Sequence, residues 1–228
     1  MGSRGGPNIP VDNSVFAFDS RNPTVLSGNY KTLIDEVIAT VSGASLSGTG
    51  YTVGISFSGA TDNLDFGNIT KINLTANLTV MGWIYPRSFG GGSSGRIFDK
   101  FKTTVPQTGF ALWIDNNIGT NAIAYGTGWT VSTSVARLSN QVSLNTWQHF
   151  AATHSGTTVT FYKNGASIGT SSSITAPSSG SVVARIGNNA GGTNNFDGTV
   201  GSVRIFNKVL SDNEIYQIYH STRGKFGV

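Results

Sequence analysis

Ten short segments of alternating character fill the sequence from about residue 50 onward: YTVGISFSG, LTVMGWIYP, GRIFDKF, GFALWIDNN, NAIAYGTGW, VSTSVARLS, WQHFAATHS, TVTFYKNG, VVARIGNN and TVGSVRIFN. Each is rich in β-branched and aromatic residues and is bounded by Gly, Asn or Pro, the pattern of strands rather than helices. Ten strands at this spacing specify an all-β fold, two antiparallel sheets packed as a sandwich. With 228 residues the chain can bury about 70% of the surface its unfolded form exposes, so the core needs no covalent staple. Cysteine is absent, which excludes disulfides, thiolate zinc sites and cysteine nucleophiles together.

The strongest local signal is TTVTFYKNGASIGT, where Asn164-Gly165 falls between two alternating runs and favours the left-handed backbone of a tight hairpin turn. Val159 and Phe161 then share one face of the first strand, Thr160 and Tyr162 the other. Residues 87–95, RSFGGGSSG, and 187–198, GNNAGGTNNFDG, carry too much glycine for regular structure and read as mobile loops at a sandwich edge. Near the end, Ser211 and Glu214 make an S-x-x-E capping box, and Ile215, Ile218 and Tyr219 fall on one face of the helix that follows. This short C-terminal helix is expected to cover one end of the sandwich, with His220, Arg223 and Lys225 near its negative end.

The first 45 residues differ in character. SVFAFDSRNP predicts a strand ending at Asn22-Pro23, whereas YKTLIDEVIATVSG fits either a strand or a turn of helix. The expected division is an arm over residues 1–13, a leader over 14–45 that joins the sandwich, and the sandwich domain over 46–228. The start, MGSRGGPNIPVDN, lacks the apolar stretch of a secretory signal, and Gly6 stands where myristoylation requires Ser or Thr. No run approaches the roughly 18 apolar residues of a membrane span. Fifteen Lys and Arg against 11 Asp and Glu give a net charge of +4, but the basic residues are scattered singly and form no stripe for nucleic acid. Synthesis in a cytoplasm, no membrane insertion and no nucleic-acid partner are the resulting expectations.

FSGATDNLDFGN, LTVMGWIYP, LNTWQHFAATHSGTTVTFYKNGASIG, ARIGNN and FDGTVGSVRIFNKVLSDNEIYQIY, in that order, resemble the landmarks of the laminin-G-like, concanavalin A-like lectin/glucanase sandwich. The resemblance runs from about residue 50 to 220. It implies a two-sheet antiparallel jelly-roll, frequent carbohydrate or protein binding, calcium in some members and enzymatic activity in some branches. The leader VFAFDSRNPTV is similar to that of laminin-G-like proteins encoded by bacteriophages. That similarity implies a virion structural protein made in the host cytoplasm: a capsid decoration, fibre or tail-associated subunit, multimeric in its assembly. Its arm, through Arg4, Pro7, Ile9 and Pro10, would dock on other virion proteins, and its sandwich would display a surface able to bind host polysaccharide.

Catalysis on sugars requires a carboxylate pair about 5 to 10 Å apart. The chain has only two glutamates, Glu36 in the leader and Glu214 in the capping box, and it lacks the Glu-x-Asp-x(x)-Glu strand that glycosidases of the resembled fold carry. Asp62 and Asp65 are the nearest pair, and Asp62-Asn63 reads as turn chemistry. No nucleophile elbow is present, and His149 and His154 sit in strand positions that suit structural roles. A non-enzymatic protein without a cofactor is expected. Calcium is the one ion with suitable oxygen donors, in DKF at 99–101 and in the loop ending at Asp197, though without EF-hand spacing.

Sugars offer apolar CH patches beside hydroxyls and are met by aromatic faces next to amides. Trp129, Tyr125 and Trp113 are the candidate contacts, while Trp83 and Trp147, in strong strands, belong to the core. The alternative to the virion reading is a carbohydrate-binding module of a bacterial surface or secreted protein, working through Trp129, Tyr125 and the glycine-rich loops.

Overall fold

In the computed structural model, which describes residues 12–50, 53–102, 104–128 and 134–228, the regular structure is mostly strand. In chain order the strands are β1 (Ser14–Asp19), β2 (Thr40–Ser42), β3 (Ser45–Ser47), β4 (Gly54–Ser58), β5 (Asn63–Asp65), β6 (Leu78–Pro86), β7 (Arg96–Lys102) and β8 (Thr108–Asp115). They continue as β9 (Ala122–Gly126), β10 (Val135–Leu138), β11 (Gln148–Ser155), β12 (Thr158–Lys163), β13 (Ala166–Ser171), β14 (Arg185–Ile186) and β15 (Asp197–Phe206). One helical turn, α1 (Pro23–Leu26), follows β1, and one helix, α2 (Asp212–Thr222), follows β15. Among the described residues no helix is long and apolar enough to cross a membrane.

The strands form two antiparallel sheets, one of eight strands in the order β13-β12-β11-β6-β15-β4-β3 and one of seven in the order β10-β9-β8-β7-β14-β5-β2. The eighth strand of the first sheet is β1, which pairs with Ser202–Phe206 of β15, while β4 pairs with Asp197–Val200 on the same strand. The leader therefore contributes to both sheets, with β1 in one and β2 at the rim of the other. YKTLIDEVIATVSG forms no helix; it holds a single bridge between Lys31 and Ile38 and then β2.

Alternation sends one face of each strand inward. Leu78, Val80 and Ile84 of β6, Val159 and Phe161 of β12, and Leu112 and Ile114 of β8 meet in the core between the sheets. The hairpin β12–β13 turns at Asn164 (φ 51°) and Gly165 (φ 81°), the left-handed pair its sequence predicts.

The opposite face of β6 is also apolar, and this is what α2 serves. Ser211 accepts from the Glu214 amide and Glu214 accepts from the Ser211 amide, so both halves of the capping box are present. The helix buries Ile215 and Ile218 with Leu210 against Met81, Ala151, Tyr162 and Phe206. Each fully buried aliphatic side chain contributes about 1.5–3 kcal/mol. The helix thus lies over the outer face of the eight-stranded sheet and does not cover an end of the sandwich as expected, because Met81, Trp83, Ala151 and Tyr162 make that face too apolar to leave in water. Trp83, Trp147 and Phe226 form a smaller cluster beside it, with Tyr219 stacked at 5.6 Å on Trp83. His149 is buried beneath the helix, 5.4 Å from the Trp83 ring.

Candidate functional site

In the seven-stranded sheet Leu64, Phe98, Leu112, Ile123 and Ile186 face the core, so alternation turns Asp65, Asp99, Trp113, Ala124 and Arg185 to the outer face. Register sets Arg185 between Asp65 and Asp99 in one cross-strand row. A register shift in β7 between Arg96 and Phe98 brings Arg96 to the same face as Asp99. Their charges meet at 3.2 Å, Arg137 and Asp115 at 2.5 Å, and Arg185 and Asp65 at 2.9 Å. The Arg96 guanidinium lies 4.3 Å from the Trp113 ring centre and the Arg137 guanidinium 5.8 Å, so two cations bracket one indole.

Burial dominates the electrostatics. It pushes the Asp99 carboxyl up to about 6, against the pull of Arg96, and pulls the Arg96 guanidinium down to about 10. Asp99 also accepts from the Phe101 and Ala190 amides, and Arg185 donates to the Asn189 and Ala190 carbonyls at 3.0 and 3.2 Å. These bonds lash the 187–195 loop to the sheet. The second glycine-rich loop joins it: the Gly91 amide donates to Asn195 at 2.8 Å and the Arg96 amide to Asn194 at 3.0 Å. A Cβ on Gly90 would lie 1.9 Å from the Asn195 carbonyl oxygen, so glycine is required there by close backbone approach.

Between the two loops and the sheet lies an open pocket of about 470 Å³. Ser94, Arg96, Asn117, Arg137, Asn189 and Asn194 line it, and Ile118, 72% exposed, stands at its rim. Such a set of amides, guanidinium groups and one hydroxyl can hydrogen-bond a polyhydroxylated ligand from several sides. The carboxylates beside it are already engaged. Asp115, 1% exposed, holds Arg137 and the amides of Asn117 and Ile118, and Asp99 is completely buried.

Of the predicted contacts, Tyr125 lies inside the sandwich core, fully buried, its hydroxyl 3.0 Å from His154 Nδ1. The correction is one of phase: Ala122, Ala124 and Gly126 occupy the outer face of β9, which sends Ile123 and Tyr125 inward. Trp113 does face outward, but at 1% exposure beneath its two arginines it offers no ring face to a sugar. Its indole lies over Gly126, where a Cβ would come within 2.8 Å. Trp129 and the arm residues Arg4, Pro7, Ile9 and Pro10 lie outside the described residues.

Asp62 closes its turn by accepting from the Ser58 amide at 2.7 Å, and Asp197 pairs with Arg87 at 2.8 Å and Ser88 at 2.7 Å. Among the described residues no group of three or more His, Asp or Glu is placed to hold a metal ion. The sequence reading missed Arg96, Arg137, Asn117, Asn189 and Asn194. The two arginines stand in otherwise apolar strands, which was a usable signal; the asparagines look like any others in a chain rich in them.

Residues 58–216 match the family described as the concanavalin A-like lectin/glucanases superfamily, through its laminin G domain. Among curated proteins no relative matches the chain. Among solved structures, the binding domain of Paraclostridial Mosquitocidal Protein 1 is similar with a TM-score of 0.66 at 15% identity, over 92% of this chain and 52% of that one. Domain 4 of AbnA, a GH43 extracellular arabinanase from Geobacillus stearothermophilus in complex with arabinotriose, is similar with a TM-score of 0.66 at 11% identity, over 91% and 98%. The binding domain of botulinum neurotoxin DC in complex with SialylT gives 0.63 at 13%, over 92% and 51%. The chain spans about half the length of these toxin binding domains, and at such identities the likeness speaks for the fold alone. By the match over residues 58–216 and the two-sheet sandwich that carries it, the chain belongs to the concanavalin A-like lectin/glucanases superfamily.

Proposed function

We propose that this protein is a non-enzymatic, lectin-like domain that binds a glycan on the outer face of its seven-stranded sheet. The observation that carries the reading is the convergence of Arg137, Asn117, Asn189 and Asn194 on one open pocket, held by buried ion pairs. Rigid polar groups around a concave site favour a hydroxyl-rich ligand. The similar arabinanase domain in complex with arabinotriose, and the toxin binding domain in complex with SialylT, lend support by analogy. A binding rather than catalytic role is supported by the engagement of Asp99 and Asp115, since a buried, paired carboxylate cannot reach a glycosidic bond. The same reading assigns no cofactor, calcium included, because Asp99 and Asp197 are engaged by Arg96 and Arg87.

The test is binding of the full chain to arabinan, by affinity electrophoresis, and to sialylated and neutral oligosaccharides on an array. At least one glycan should bind, and Asn117→Ala, at an exposed position, should weaken it about tenfold. Failure to bind any of them sinks the reading.

The finer reading, that the domain is displayed on a virus particle and docks through residues 1–13, draws on the resemblance of VFAFDSRNPTV to phage leaders. Limited proteolysis of the free chain tests it: rapid cleavage after Arg4 ahead of a resistant core is expected if a partner orders the arm, and a protected arm on a monomer argues against it.

A further inference from the structure

On the other side of the sandwich, α2 leaves one corner of the eight-stranded sheet uncovered. There the register sets Tyr85 of β6 beside Thr199 of β15, and Gln148 opposite Ile84 brings Trp147, one residue earlier, alongside Tyr85. The two rings lie 5.7 Å apart at 60° and wall a cleft of about 260 Å³, completed by Ser47, Gly48 and Thr199. Trp147, 7% exposed, is fixed from behind by Phe226 at 4.7 Å. It fits because Gly54 and Gly201 carry no side chain: a Cβ on either would lie 3.3 Å from the indole. Tyr85 is the partly exposed ring.

Three properties of this cleft bear on its ligand. Among the described residues its lining holds no charged group, which suits a neutral molecule. Its hydroxyls are uncommitted: among the described residues Ser47, Tyr85 and Thr199 donate no hydrogen bond to the protein. The indole Nε1 of Trp147 is buried without a hydrogen-bond partner, whereas buried indoles ordinarily have one. Aromatic walls beside free hydroxyls match the alternating CH and OH surface of a sugar, and the volume suits a single ring.

We propose that this cleft is a second sugar site, taking one uncharged sugar ring, on the sheet opposite the Arg137–Asn117 pocket. Two sites on opposite sheets let one domain join two glycan chains, or gain avidity on a dense one.

The experiment follows the four indole N–H signals of the ¹⁵N-labelled full chain by NMR during titration with D-glucose, D-galactose, D-mannose, N-acetyl-D-glucosamine and L-arabinose. At least one sugar should shift the Trp147 signal saturably, with a Kd in about the millimolar range expected for one ring. Tyr85→Ala should weaken this binding roughly tenfold, and Thr199→Val, which keeps the shape and removes the hydroxyl, about threefold. Asn117→Ala should leave it unchanged. No Trp147 shift with any of the sugars, or a shift that survives Tyr85→Ala undiminished, overturns the proposal. Failure of glycan binding at the opposite face, read by affinity electrophoresis, leaves the Trp147 shift in place, so the two readings fail separately.

Discussion

Replacing His149 with Phe should change how the protein responds to acid. The imidazole is buried beneath α2 against Trp83 and Tyr219, and burial, aided by the Arg204 guanidinium, pulls it down to about 3. In the unfolded chain the same ring takes a proton near its ordinary value of about 6.5. Between these values the unfolded state binds more protons than the native one, so stability present above 6.5 is lost as pH falls. At pH 5, about 1.5 pH units below the ordinary value, the loss at about 1.36 kcal/mol per unit is about 2 kcal/mol. Asp99 acts in the opposite sense. Raised to about 6, it takes its proton in the native state first and adds stability as pH falls from 6 towards 3.8. The wild-type profile alone therefore mixes both effects, and the difference between wild type and His149→Phe isolates the histidine. Urea unfolding followed by tryptophan fluorescence at pH 7, 6 and 5 should show the variant gaining about 2 kcal/mol on the wild type between pH 7 and 5. A difference constant to within about 0.5 kcal/mol would mean that the folded protein accommodates the imidazolium, and the reasoning from burial would fail.

Other perturbations follow from the packing. Ser211→Ala removes one half of the capping box and should cost about 1 kcal/mol, lowering Tm by about 2–4 °C in a calorimetric scan. Ile218→Ala, at the helix–sheet contact, should cost about 2–5 kcal/mol in urea unfolding. Asp99→Ala leaves the Arg96 charge buried without its nearest counter-charge and should cost about 3–5 kcal/mol by the same assay. Gly165→Ala forces a side chain into left-handed backbone and to within 2.8 Å of Tyr219; the expected loss is more than about 1 kcal/mol, read from the thermal midpoint.

The strands were legible because their period is local. LTVMGWIYP coincides with β6 from Leu78 to Pro86, and TVTFYKNG ends in the observed turn. The same run is apolar on both faces, a sign that both sides of the strand are covered. What covers the outer side is decided by α2, more than a hundred residues later, and no local pattern shows where that helix will lie. The Arg96–Asp99 pair was hidden for a different reason. Residues three apart in a regular strand point to opposite faces, and only the irregularity between Arg96 and Phe98 puts these two together. Tyr125 adjoins Gly126, which is small so that Trp113 can lie across it, and no local pattern shows that Arg96 and Arg137 lie over the Trp113 ring.

The pairing of β1 with β15 has a consequence for how the protein is made. Ser14 finds its partner in Phe206, 192 residues further along the chain, and the Asp19 end of the same strand is clasped by Lys225 at 2.9 Å. During synthesis at about 5–20 residues per second, the first strand must wait roughly 10 to 40 seconds for its neighbour to emerge, its apolar face open to misdirected contacts. Contacts this distant along the chain form slowly. Among the described strands, β1 is therefore made early and placed late.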